Sequence, residues 1–161
     1  MDKKQRIMFV CLGNICRSPM AEFIFKKIAS ERGGDFDISS AATSSEECGN
    51  PVYPPAAGIL RRHSISCGGK RAVQFVPDDY ERYDFIICME NRNIRSLERI
   101  VGGDPKGRMY RLLDFTDNPR DIADPWYTGD FETAYREIYE GCEALYNHLT
   151  NNTCKERADR V

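Results

Sequence analysis

A chain of 161 residues, 41% hydrophobic and 30% charged, is long enough for one domain with its own core; at that size folding buries about 68–70% of the surface the unfolded chain exposes. A net charge of -2 and a pI near 5.8 exclude a general attraction to nucleic acid or to an anionic membrane surface. Seven cysteines, an odd number with no C-x-x-C spacing and only His63 and His148 to complete a metal set, argue against a disulfide framework and against structural zinc.

The N-terminus, MDKKQRIMFVC, is basic and then apolar, but its apolar run is too short for a signal peptide and has no small-residue cleavage site. Nothing in the sequence reaches the roughly 20 apolar residues a membrane span needs. A cytoplasmic, monomeric protein with neither nucleic-acid nor membrane-spanning partners is the expectation.

In chain order, RIMFV (Arg6–Val10) reads as a buried strand. Ser18 can cap the next helix, with Pro19 at its first position, and Met20, Phe23, Ile24 and Ile28 share one face. Gly33 and Gly34 stop it. FDISSAATS is a second strand running into a loop, and PPAAGILRRH a short helix opened by its prolines. YDFIICM (Tyr83–Met89) is a third strand, followed by the helix NRNIRSLERIV with Gly102 and Gly103 as its stop. RMYRLL is a weaker fourth strand. The last helix is the clearest: Phe131, Ala134, Tyr135, Ile138, Cys142, Leu145, Tyr146 and Leu149 recur at helical spacing. The polar tail beyond Thr150 is expected to fray. Residues 1–161 thus form a single domain, with 152–161 as that tail.

Strand and helix alternate four times, which predicts an α/β three-layer sandwich: a four-stranded, mostly parallel sheet flanked by helices. In such folds ligands bind beyond the carboxyl ends of the strands. Cys11 closes the first strand, so CLGNICRS lies where chemistry is expected. A strand-to-helix turn gathers backbone N–H groups into one concavity and adds the positive end of a helix dipole. Gly13 is read as the residue that permits an unusual backbone conformation. Arg17 offers a planar fork suited to two phosphate oxygens. A cysteine in that field is expected to ionise readily, with Ser18 donating to it. The loop residues Leu12, Gly13, Asn14, Ile15, Cys16, Arg17 and Ser18 are therefore expected to bind phosphate over a nucleophilic sulfur. The segment LDFTDNPRDIADPWYTGDF leaves the same edge of the sheet and can fold over that loop.

C-x5-R alone is a weak signal, but the pattern VCLGNICRSPMAE followed by ADPWYTGDF is specific, and it resembles the low-molecular-weight protein tyrosine phosphatases. Weaker agreement at SSAATSSEECGNP and FIICME extends the resemblance over nearly the whole chain. It implies a four-stranded parallel sheet, one domain, no metal, no cofactor, and phosphotyrosine-containing proteins as substrates. Carried over, Cys11 is the nucleophile that takes the phosphoryl group and Arg17 holds its oxygens. Asn14 braces the loop, Ser18 stabilises the thiolate, and Asp124 is the general acid and then the general base. Trp126 and Tyr127 wall the cleft. On the opposite wall, where many relatives have an aromatic, stands Glu46, followed by Glu47. CGGKRAV replaces the segment whose histidine often supports the loop asparagine.

Two neighbouring activities share this loop. An arsenate reductase needs a relay of further thiols, which Cys67 and Cys88 are too far apart in sequence to suggest. The phosphoarginine branch tends to carry threonine where Ile15 stands. A binding module that has lost catalysis fits poorly with intact Cys11, Arg17 and Asp124. Cys16, a second thiol within the loop, is either packing or a redox partner that captures oxidised Cys11. Of the remaining five cysteines, Cys67, Cys88, Cys142 and Cys154 are read as inert.

Overall fold

A computed structural model describes the backbone of residues 4–159 and the side chains of residues 4–151. The chain runs β1 (Gln5–Cys11), α1 (Arg17–Arg32), β2 (Phe36–Ala42), α2 (Pro54–Arg62), α3 (Pro77–Arg82) and β3 (Phe85–Cys88). It continues with α4 (Asn91–Val101), β4 (Met109–Arg111), a 3-10 turn (Leu112–Phe115), α5 (Pro125–Thr128) and α6 (Phe131–Asp159).

All strands are parallel, in the order β2-β1-β3-β4. The chain therefore leaves β1 toward one edge and returns to build the other, and the switch point falls where β1 and β3 lie side by side. The pleat sends alternate residues of β1 to opposite faces. Ile7, Phe9 and Cys11 join a core with α1, α2 and α6, while Met8 and Val10 join a second core with α3 and α4. That gives the three layers. Within the larger core, Phe25 has its ring centroid 5.8 Å from Phe9, 5.3 Å from Phe36 and 6.2 Å from Tyr146. Each such buried ring contributes about 1.5–3 kcal/mol by removing apolar surface from water.

The four-stranded parallel sheet matches expectation, and so do the glycine stops: Gly33 (φ 98°) and Gly102 (φ 95°) follow α1 and α4 directly. Three local readings are corrected, and one short helix went unread. Ser18 does not cap α1, because the helix begins at Arg17 after Cys16 and the Ser18 hydroxyl turns inward to the Cys11 sulfur at 3.0 Å. RMYRLL is extended only over Met109–Arg111; Leu112 and Leu113 then coil into the 3-10 turn, which buries both against α6. PDDYER forms α3, a one-and-a-half-turn helix opened by Pro77, in a stretch too short to show periodicity. Gly13 does not take the left-handed conformation: the non-glycine residue Asn14 does, at φ 58°. A Cβ on Gly13 would instead press on Glu47 Cγ at 3.3 Å. The helix α6 is described to Asp159, past Thr150, and the side chain of Cys154 lies outside the described residues.

Candidate active site

The loop between β1 and α1 curls around the Cys11 side chain, which is 3% exposed. The backbone N–H groups of Asn14 and Ser18 donate to Cys11 Sγ at 3.3 and 3.4 Å. Ser18 Oγ stands 3.0 Å from the same sulfur. The direction of that last bond follows from its neighbours. Asn14 Oδ1 accepts from the Val73 N–H at 3.1 Å, which orients the amide so that Nδ2 donates to Ser18 Oγ (2.7 Å) and to Ser40 Oγ (2.9 Å). Ser18 Oγ is thus already an acceptor, and its own proton goes to Cys11 Sγ at 3.0 Å, nearer than the Ala41 carbonyl at 3.5 Å. Three donors converge on one sulfur. Three amide bonds of Asn14 to fixed partners offset the cost of a non-glycine residue at positive φ.

Arg17, at the start of α1, is 2% exposed, and burying a guanidinium requires countercharge. Its Nη1 donates to Glu90 Oε2 and to the Ile122 carbonyl, both at 2.7 Å, and Nη2 reaches Asp124 Oδ2 at 3.4 Å. Burial pulls its pKa down, but the charges of Cys11, Asp124 and Glu90 win and raise it above the usual arginine range. Glu90 sits just past the end of β3, beside β1 at the switch point. Its role was not anticipated from the sequence, although the rule that ligands gather at that point directs attention to it.

Asp124 arrives on the segment after β4, as expected. The Ile122 N–H donates to the Met89 carbonyl at 2.9 Å, which ties this segment to the end of β3. Asp124 Oδ1 then accepts from the Trp126 N–H at 3.0 Å, capping the short α5, while Oδ2 faces Arg17. Asp114 and Asp121, the nearby carboxylates, are engaged elsewhere by Arg111.

These groups surround one cavity of about 180 Å³. Cys11, Leu12, Gly13, Ile15, Cys16 and Arg17 form its floor, Trp126 and Tyr127 one wall, Ser44, Glu46 and Glu47 the other, and Asp124 stands at the mouth. Every residue expected in the site lies here except Asn14 and Ser18, which support it from beneath. Trp126 is half exposed and leans on Tyr53 with ring centroids 4.7 Å apart. Tyr53 also went unread in the sequence, since only tertiary packing brings it to the wall. Glu47 accepts from Asn50 Nδ2 at 2.6 Å, which holds its carboxylate on the rim.

Cys16 is buried at 5% exposure and packs with Ile15 and Ala72. Burial first, and then the charge of Cys11, push its pKa up to about 12, so this thiol stays neutral across the physiological range. Cys88 and Cys142 are fully buried and are pushed up further by burial. Cys48 is exposed and Cys67 half-buried.

Chemically, the floor can hold a tetrahedral oxyanion over a sulfur, with a carboxyl group in reach of the ester oxygen that points outward. The low molecular weight phosphotyrosine protein phosphatase family matches residues 6–156. The low molecular weight protein-tyrosine-phosphatase YfkJ of Bacillus subtilis is 42% identical over 143 residues, 86% of this chain and 92% of that protein. Its crystal structure superposes with a TM-score of 0.90, covering 94% of this chain and 98% of YfkJ. The low molecular weight protein-tyrosine-phosphatase PtpA of Staphylococcus epidermidis is 34% identical over 94% of this chain and 98% of PtpA. The crystal structure of SP-PTP from Streptococcus pyogenes, 35% identical, gives a TM-score of 0.80 over 90% of this chain and 93% of that one. On fold, loop and relatives alike, the chain belongs to the low molecular weight phosphotyrosine protein phosphatase family.

Proposed function

We propose that this enzyme hydrolyses phosphotyrosine in proteins, and small aryl phosphates, through a phosphocysteine intermediate. Cys11 Sγ attacks phosphorus as the bond to the ester oxygen breaks, and that oxygen leaves with a proton from Asp124. Arg17 and the loop N–H groups hold the equatorial oxygens, where charge gathers in the transition state. A water that loses its proton to Asp124 then attacks phosphorus, breaking the S–P bond and releasing phosphate. The convergence of three hydrogen-bond donors on Cys11 Sγ, at the floor of a cavity that Arg17 and Asp124 also reach, carries this reading.

The cavity also supports a substrate class. Ile15, Trp126 and Tyr127 supply apolar and aromatic surface against which a flat phenyl ester can lie. Glu46 and Glu47 on the facing rim disfavour acidic flanks. Phosphotyrosine peptides with neutral or basic flanks are expected to be turned over well above phosphoserine peptides of the same sequence. Steady-state kcat/KM on the matched peptides tests this, and comparable rates on phosphoserine would refute it. Activity as a monomer in the cytoplasm completes the reading.

Oxidation supplies a second expectation. Peroxide converts a reactive Cys11 thiolate to a sulfenic acid, and Cys16 Sγ can displace water from it to form a disulfide. Peroxide-treated protein is expected to carry a Cys11–Cys16 link by mass spectrometry and to regain activity in dithiothreitol, whereas Cys16→Ser stays active beforehand but recovers poorly. Full recovery of Cys16→Ser would leave Cys16 as packing alone.

A further inference from the structure

Beneath the loop, outside the cavity, lies a polar network that the mechanism above does not use. Glu22, on the second turn of α1, is 4% exposed. Its Oε1 accepts from Ser40 Oγ, 2.5 Å away, and its Oε2 pairs with Lys26 Nζ at 2.6 Å. Lys70, on the segment between α2 and α3, enters the same pocket with its side chain only 14% exposed. Its Nζ donates to the Ser40 carbonyl at 3.0 Å and stands 3.8 Å from Glu22 Oε1. Burial pulls the Lys70 ammonium below its usual pKa, and Glu22 opposes that pull. Lys26 and the Cys11 sulfur also bear on it, Lys26 lowering and Cys11 raising.

The bond directions make this network a single unit. Ser40 has one hydroxyl proton, which goes to Glu22, so its oxygen is left to accept from Asn14 Nδ2. Asn14, held in a left-handed conformation, must give its other amide proton to Ser18 Oγ, and Ser18 then gives its own to Cys11 Sγ. A carboxylate this buried is costly unless cations face it, so the seat that Glu22 offers Ser40, and through it the anchor of Asn14, depends on its countercharges. Lys26 is 43% exposed and pairs with Oε2, whereas Lys70 is enclosed, tied to the Ser40 carbonyl, and faces Oε1, the oxygen that accepts from Ser40.

We propose that Lys70 is a positioning residue for the reaction: it tethers the Ser40 carbonyl and countercharges the Glu22 carboxylate that accepts from Ser40 Oγ, and so holds Asn14 and Ser18 in the arrangement that presents a proton to Cys11 Sγ. The inference rests on the reading of Cys11 as the nucleophile. Losing the Lys70 charge removes a cation from the neighbourhood of the thiolate and loosens its donors, so both effects weaken the same atom. The segment CGGKRAV, which has no histidine, thus supplies a lysine ammonium to the network.

Two readouts test the proposal. The first is kcat and KM for p-nitrophenyl phosphate, and the second is the rate at which iodoacetamide alkylates Cys11 at pH 6, which needs no turnover. Lys70→Met is expected to lower kcat and the alkylation rate together by about tenfold, the effect of weakening roughly one hydrogen bond to a charged atom, with KM within about twofold of the parent. Lys70→Arg keeps the cation and is expected to retain most of both. In Lys70→Met with Glu22→Gln, the neutral amide still accepts from Ser40 without an uncompensated charge, so both rates are expected to recover severalfold over Lys70→Met. Parent-like rates in Lys70→Met, or a double variant no better than Lys70→Met, would overturn the proposal. Should Lys70→Met fold poorly, the alkylation rate of folded Lys70→Gln decides in the same way. A parent protein without phosphatase activity would instead refute the nucleophile reading, while the alkylation comparison still judges Lys70.

Discussion

Replacing Cys11 with serine is expected to abolish hydrolysis of p-nitrophenyl phosphate, a loss on the order of 10⁴-fold or more, because one member of a cooperating catalytic set carries most of its effect. The substitution exchanges sulfur for oxygen in a buried site and leaves the Asn14 and Ser18 donors in place. A serine hydroxyl, however, holds its proton at neutral pH, and no histidine lies in the cavity to remove it. Phosphate should therefore still bind, and should raise the melting temperature of both Cys11→Ser and the parent. Arg17→Ala should lose both turnover and that phosphate-induced stabilisation, since the fork that holds the oxygens is gone. It also strands Glu90, so the folded state itself should weaken. Full activity in Cys11→Ser would end the proposed mechanism.

Removing the carboxyl of Asp124 should slow the enzyme in a way that depends on the leaving group. A phenolate is a poor leaving group and needs a proton as the P–O bond breaks, whereas p-nitrophenolate leaves without much help. Asp124→Ala is expected to cost about 10²–10⁴-fold on phenyl phosphate and far less on p-nitrophenyl phosphate. Asp124 also caps α5 through the Trp126 N–H, and losing a cap costs about 0.5–2 kcal/mol. Asp124→Asn separates the two roles, because its amide oxygen can still accept that bond while the side chain carries no transferable acid proton. Both variants should show the same leaving-group dependence. Equal losses on the two substrates, or recovery in Asp124→Asn, would assign Asp124 to structure alone.

Much of the floor of the site was legible in the sequence because it is contiguous. Cys11 to Ser18 form one turn, so spacing along the chain is spacing in space, and the strand before it and helix after it carry clear periodic signals. Asp124 was legible for a different reason: ADPWYTGDF matches a second motif of the family that the chain resembles. What could not be read depends on residues brought together from distant segments. Glu90 pairs with Arg17 across 73 positions, and Tyr53 supports Trp126 from the start of α2. Lys70, Glu22 and Ser40 come from three elements and meet only beneath the folded loop. The misreadings of Ser18 and Gly13 share one cause. Local propensity assigns a serine before proline to a cap and a loop glycine to positive φ, but tertiary hydrogen bonds turned Ser18 to the sulfur and placed the strain on Asn14. In the fourth strand, Leu112 and Leu113 satisfy the same apolar pattern as a strand while coiling onto α6.

The central claim is a covalent bond between phosphorus and the Cys11 sulfur. In Asp124→Ala the water that breaks this bond lacks its base, so the intermediate should accumulate when p-nitrophenyl phosphate, which needs no acid, is the substrate. Acid quenching during turnover, followed by peptide mass spectrometry under conditions that preserve thiophosphates, measures it directly. A phosphoryl group on the peptide containing Cys11, absent when Cys11→Ser is added, is the predicted result. Sustained turnover with no phosphoryl group on that peptide at any quench time, or with one on a different residue, would contradict the account.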